Sequence, residues 1–73
     1  MDIMCKLTGI DCPACAAKLE RKLQKINGVE TAVINFMMEK LFLECADEDE
    51  AAVMQAVEKE IVKFERNAVL TRL

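Results

Sequence analysis

The chain has 73 residues and contains no His, no Trp and no Tyr, with a single Pro, two Gly and three Phe. Each shortage removes a class of function. Without His, a metal ion can be held only by Cys, carboxylate, Met or backbone groups. Three Phe with no other aromatic leave little on which nucleic-acid bases can stack. The formal net charge of -3 argues further against a phosphate-backbone partner, which clustered Lys and Arg would recognise. No run of about 18 apolar residues is present to span a bilayer, so direct membrane insertion is not expected. The first 15 residues lack the basic start and apolar core of a secretory signal, so the expected location is cytoplasmic.

What is present is the composition of a soluble globular protein, 53% hydrophobic and 32% charged. A chain this short buries roughly 60% of its unfolded surface, which supports one core, so residues 1–73 are expected to form one domain. No linker, repeat or low-complexity segment interrupts it.

Ile3, Cys5 and Leu7 alternate with Met4, Lys6 and Thr8, the period of a half-buried strand. Gly9 breaks that pattern and Pro13 suits the first turn of a helix, where its missing N–H is not needed. Ala16, Leu19, Leu23 and Ile26 follow at spacings of three and four, with Lys18, Arg21, Lys22 and Lys25 on the other side and Asn27-Gly28 as the stop. Residues 29–36 are rich in branched side chains and read as a second strand, with Ala32, Ile34 and Phe36 on one face and Val29 out of phase across a bulge. A short turn at Met37–Glu39 joins it to a third strand with Leu41, Leu43 and Cys45 inward, which makes an antiparallel hairpin.

The acidic run Asp47–Glu50 precedes a segment with Val53, Val57 and Ile61 at helical spacing. Carboxylates there are expected to cap the helix and oppose its dipole, since the oxygens of a calcium loop are missing. The helix is expected to run to about Val62, with Phe64 closing it, and the final residues to add a short strand. The order β-α-β-β-α-β predicts an α+β, ferredoxin-like open sandwich, a four-stranded antiparallel sheet with two helices on one face.

Cys12 and Cys15 stand where loop becomes helix, so helix-end N–H groups and the dipole favour thiolate. Two intervening residues let one turn bring both sulfurs to a single soft ion such as Cu(I), Zn or their heavier relatives. The same spacing serves thiol oxidoreductases, but those present a second proline loop opposite the cysteines, and Pro13 is alone. Without a secretory signal, a structural disulfide is the weaker reading. Asp11 is either a third, oxygen ligand or a solvated loop residue, and the residues themselves do not decide between these. Cys5 and Cys45 fall on inward positions and read as core. The basic face of the first helix reads most simply as solvated, with partner docking as the sharper alternative.

Residues 9–23, GIDCPACAAKLERKL, followed by NGVETAVINFMMEKLFLE, resemble the heavy-metal-associated domain, whose motif is G-M-x-C-x-x-C. Gly9, Cys12 and Cys15 match that motif, and Ile10 stands where the family has a buried Met that anchors the loop. Phe64 resembles an aromatic found near the metal loop, although Lys63 replaces the Gly that usually precedes it. The resemblance implies that Cys12 and Cys15 are ligands, with Gly9, Ile10 and Phe64 as support. The aspartate-containing variant, here Asp11, Cys12 and Cys15, is similar to that of P-type ATPases exporting zinc, cadmium and lead, which implies Asp11 as a ligand for Zn2+, Cd2+ or Pb2+. The alternative is a Cu+ carrier, either a chaperone or a copper ATPase module. Implied partners are the metal ion and either other domains of such an ATPase or a metal-donor protein. The resemblance also places the turn bearing Met37 and Met38 away from the metal loop, so both read as surface residues. No catalytic unit is expected within the chain.

Overall fold

A computed structural model describes all 73 residues. The elements run β1 (Asp2–Thr8), α1 (Pro13–Gln24), β2 (Val29–Asn35), β3 (Lys40–Cys45), a single 3-10 turn at Asp47–Asp49, α2 (Glu50–Phe64) and β4 (Val69–Arg72). The strands form one sheet in the order β2-β3-β1-β4, with every pair antiparallel. The ferredoxin-like arrangement expected from the sequence is the one observed.

The alternation of β1 and β3 explains the core. Ile3, Cys5 and Leu7 from one and Leu41, Leu43 and Cys45 from the other are all buried on the same sheet face. Leu19 and Leu23 of α1 and Val53, Val57 and Ile61 of α2 close over them in one cluster. Cys5 and Cys45 are fully covered members of that cluster, so they act there as small apolar side chains. Burial pushes the Cys5 thiol above its ordinary pKa, against a smaller opposing pull from Arg72. The expected bulge in β2 lies between Val29 and Thr31 and puts Ala32 into the core.

Edge strand β2 is tied to α1 by two side chains one helical turn apart. Glu20 Oε2 accepts from the Ile34 N–H at 2.8 Å, and Gln24 Nε2 donates to the Ala32 carbonyl at 3.0 Å.

Helix α2 closes at Phe64, as expected, where Phe64 extends the inward series Val57, Ile61 and packs half-buried against the core. Two details differ from expectation. First, no side chain of the acidic run makes a capping hydrogen bond to α2; Asp47 lies 3.7 Å from the terminal ammonium and Glu50 pairs with Arg72. Their stabilisation of the helix is through charge alone. Second, the Met37–Glu39 turn lies at the metal-loop end, not away from it. Antiparallel pairing of Lys6 with Lys40 carries the start of β3 to the exit of β1, and the Leu7 N–H donates to the Glu39 carbonyl at 2.8 Å. Met37 and Met38 are exposed, as expected.

Candidate metal site

The loop after β1 is shaped by Gly9. Its φ of +88° lies in the region that side chains disfavour, and a Cβ there would sit 2.5 Å from the Asn67 carbonyl oxygen and 2.9 Å from Ala68 Cα. The loop therefore rests directly on the backbone that joins α2 to β4. Ile10, half-buried, packs against the core.

Cys12 is the N-cap of α1, in extended backbone conformation, and Pro13 opens the helix. Its sulfur accepts from the Cys15 N–H at 3.2 Å, the bond that a capping Ser or Asp oxygen would make, while the Ala16 N–H donates to the Cys12 carbonyl at 3.0 Å. Cys15 is three residues on, and its side chain turns back toward the cap as in a capping box. The two sulfurs end 3.0 Å apart, well beyond the roughly 2.05 Å of a disulfide. The spacing of two residues thus converts a helix start into a paired-sulfur site.

The hydrogen bond between these sulfurs and the helix-start N–H groups separate their acidities. The Cys12 thiol is held below its ordinary pKa, first by the hydrogen bond to the Cys15 side chain and then by the Cys15 and Ala14 N–H groups; slight burial and the Asp11 charge oppose this. The Cys15 thiol is raised, chiefly by that same side-chain hydrogen bond, then by burial and by the charges of Cys12 and Asp11, with Lys18 opposing. Both cysteines are partly exposed and both are free thiols. The site is a nucleophilic, soft donor pair open to solvent, with the chemistry that a soft or borderline cation requires.

Asp11 is exposed and its charge is felt by both sulfurs, but no group of three or more thiol and carboxylate side chains is gathered to hold an ion. The structure brings Cys12 and Cys15 together and leaves Asp11 beside them. Phe64 ends α2 at the same end of the molecule, against the core. The sequence reading missed the neighbourhood of Met37. A hollow of about 240 Å³ next to the loop is lined by Leu7, Ile10, Ile34, Phe36, Met37 and Glu39. The signal was available, because strand directions in β-α-β-β-α-β put three connections at one end: β1 to α1, β2 to β3, and α2 to β4.

Residues 6–64 match the heavy-metal-associated domain. The chain belongs to the heavy-metal-associated domain family. Among known relatives, it is 53% identical over 38 residues to the cadmium, zinc and cobalt-transporting ATPase of Helicobacter pylori (strain ATCC 700392 / 26695), covering 52% of this chain and 6% of that one. It is 37% identical over 54 residues to the zinc/cadmium/lead-transporting P-type ATPase of Shigella sonnei (strain Ss046), covering 74% of this chain and 7% of that protein. A copper-exporting P-type ATPase of Bacillus subtilis (strain 168) is 42% identical over 38 residues, covering 52% of this chain and 5% of the relative. The match thus spans only a small fraction of each relative. Among solved structures, the Cu(I)-loaded N-terminal domain of a potential copper-translocating P-type ATPase from Bacillus subtilis superposes with a TM-score of 0.71 at 27% identity, covering 97% of this chain and 84% of that one. This heavy-metal-associated domain has relatives on both the zinc and the copper side.

Proposed function

We propose that residues 1–73 form one non-catalytic domain that takes up a divalent Zn, Cd or Pb ion and passes it on, as the cytoplasmic N-terminal module of a metal-exporting P-type ATPase. Cys12 and Cys15 are the principal ligands and Asp11 the third. Gly9, Ile10 and Phe64 hold the loop.

The observation that carries the reading is the pair of reduced sulfurs 3.0 Å apart on an exposed helix start, with a carboxylate on the adjoining residue. The Asp11 carboxylate and an ionised Cys12 repel each other in the metal-free chain, so Asp11 standing off from the sulfurs is the arrangement electrostatics favours before a cation draws the three together. Zinc accepts carboxylate beside thiolate, whereas Cu(I) gains little from a hard oxygen. The zinc, cadmium and lead transporters among the relatives support the same choice. Transfer follows from openness. With three protein ligands at most, a partner thiolate enters the coordination sphere before a domain sulfur leaves, and the ion is never free.

The second reading is a Cu(I) carrier. It is supported by the copper-exporting relative and by a site in which only the two sulfurs are already in place. Competition of the reduced domain against a zinc chelator and, separately, a Cu(I) chelator distinguishes the two. Asp11→Ala is expected to weaken Zn and Cd binding by at least tenfold and Cu(I) binding by less than threefold, on the order of one lost metal ligand. Equal losses, or none, overturn Asp11 as the selecting ligand. Disulfide turnover with glutathione and a reductase would instead support an oxidoreductase.

A further inference from the structure

The face of the sheet opposite the helices has an order that metal binding does not explain. Strand register aligns Val33 with Phe42 and Phe42 with Met4, and the Leu73 N–H donates to the Met4 carbonyl at 3.0 Å. One apolar row therefore crosses β2, β3 and β1 and continues onto Leu73, just past the end of β4. Val33, Met4 and Leu73 are 45%, 43% and 64% exposed. On the side away from the metal loop, register sets Asp2 directly against Glu44; on the loop side it sets Lys6 against Lys40. Like charges directly opposite each other destabilise a sheet, and none of the four has an ion-pair partner within the chain.

We infer that this open sheet face pairs with a second copy of the chain, turned about a two-fold axis lying along the apolar row. Rotation about that axis exchanges the two flanking rows. Lys40 of one copy then faces Glu44 of the other and Lys6 faces Asp2, each twice by symmetry, while Val33, Phe42, Met4 and Leu73 meet their own counterparts. A partner of one charge sign would be repelled by one row or the other. Only a surface carrying both rows in the opposite sense satisfies all four charges, and the chain's own face is such a surface. The two sheets pack face to face in the manner of a sandwich, with helices outward. The two cysteine pairs lie at opposite ends of the dimer, both open, so the association is independent of metal.

Four strands about 4.8 Å apart and six residues of about 3.4 Å each give a face of roughly 400 Å² per copy. An interface of that size belongs among weak, transient contacts, so self-association is expected only at high protein concentration. Sedimentation equilibrium of the reduced protein in chelator and low salt, from about 10 μM to 1 mM, reads it. Phe42→Glu and, separately, Val33→Glu should leave folded monomers by circular dichroism. Lys40→Glu alone and Glu44→Lys alone should each weaken self-association by about tenfold. An equimolar mixture of those two variants should associate more tightly than either by itself, and the double variant Lys40→Glu with Glu44→Lys should recover the original constant within about threefold. Cys12→Ser with Cys15→Ser should dimerise unchanged. A monomer at 1 mM, a mixture no tighter than its components, or a dimer lost with the cysteines overturns the inference.

Discussion

Replacing Gly9 by Ala tests how rigidly the metal loop is seated. Two penalties apply. Placing a Cβ at φ +88° costs about 1–2 kcal/mol for any L-residue. The new methyl would also stand 2.5 Å from a backbone oxygen and 2.9 Å from a backbone Cα, neither of which can rotate away. Separating backbone segments in a packed structure adds about 1–3 kcal/mol, so the total is about 2–5 kcal/mol. A 73-residue domain has roughly 4–11 kcal/mol of stability, so a large share is removed. Gly28 is the internal control. Its φ is +98°, but the methyl there meets only the Val53 γ-methyl at 3.0 Å, the mobile end of a side chain, and the expected loss is about 1–2 kcal/mol. Urea unfolding of the reduced proteins, monitored by circular dichroism, measures both variants. With a slope of about 1 kcal/mol/M, the midpoint for Gly9→Ala should fall by about 2 M or more, and by at least 1 M more than for Gly28→Ala. If the two variants fall within about 0.5 kcal/mol of each other, the loop is not held by its contact with residues 67–68.

Other expectations follow from the cysteines, the core and the sheet edge. With Cys12 below and Cys15 above the ordinary thiol value, limiting iodoacetamide near neutral pH should alkylate Cys12 first, as peptide mass analysis would show; preferential labelling of Cys15 would reverse the proton assignment. Cys5 titrates higher folded than unfolded, so the unfolded chain releases its proton first as pH rises. That contribution is intact below the ordinary thiol value of about 8.5 and is lost as pH climbs toward the folded value. Urea midpoints should therefore decline above about pH 8.5, and Cys5→Ala should flatten the decline. Leu19→Ala, at a fully buried site, should cost about 2–5 kcal/mol in the same assay. Glu20→Ala should cost about 1–2 kcal/mol and speed hydrogen exchange at Ile34, whose N–H it leaves without its acceptor; unchanged exchange there would refute the contact.

The parts of this fold that were legible in the sequence are those with a single buried face. Ile3, Cys5 and Leu7 declare their strand, and Leu41, Leu43 and Cys45 theirs, because period two has no other reading over that length. Helix α1 was legible for the same reason at period 3.6, and the cysteine pair because a cap and the third helical position have two residues between them. What escaped depended on contacts between distant segments. The position of Met37 is set by the direction in which β3 runs against β1, not by anything local to the turn. The reach of Glu20 and Gln24 to β2 looks, in sequence, like ordinary surface polarity. The acidic run before α2 had the right charge for a cap, yet its carboxylates take other partners or none. The stance of Asp11, exposed beside the sulfurs, follows from no periodicity in the residues.

The two side chains of α1 that reach β2 have one more consequence. A sheet grows into a fibre only if each molecule offers two receptive margins, so that every addition exposes a fresh template. Here the Ala32 carbonyl and the Ile34 N–H are already engaged by α1, which makes the β2 margin a poorer template than the short β4 margin. Growth by lateral strand pairing is hindered at one of the two margins, so a domain crowded against others of its kind resists runaway polymerisation.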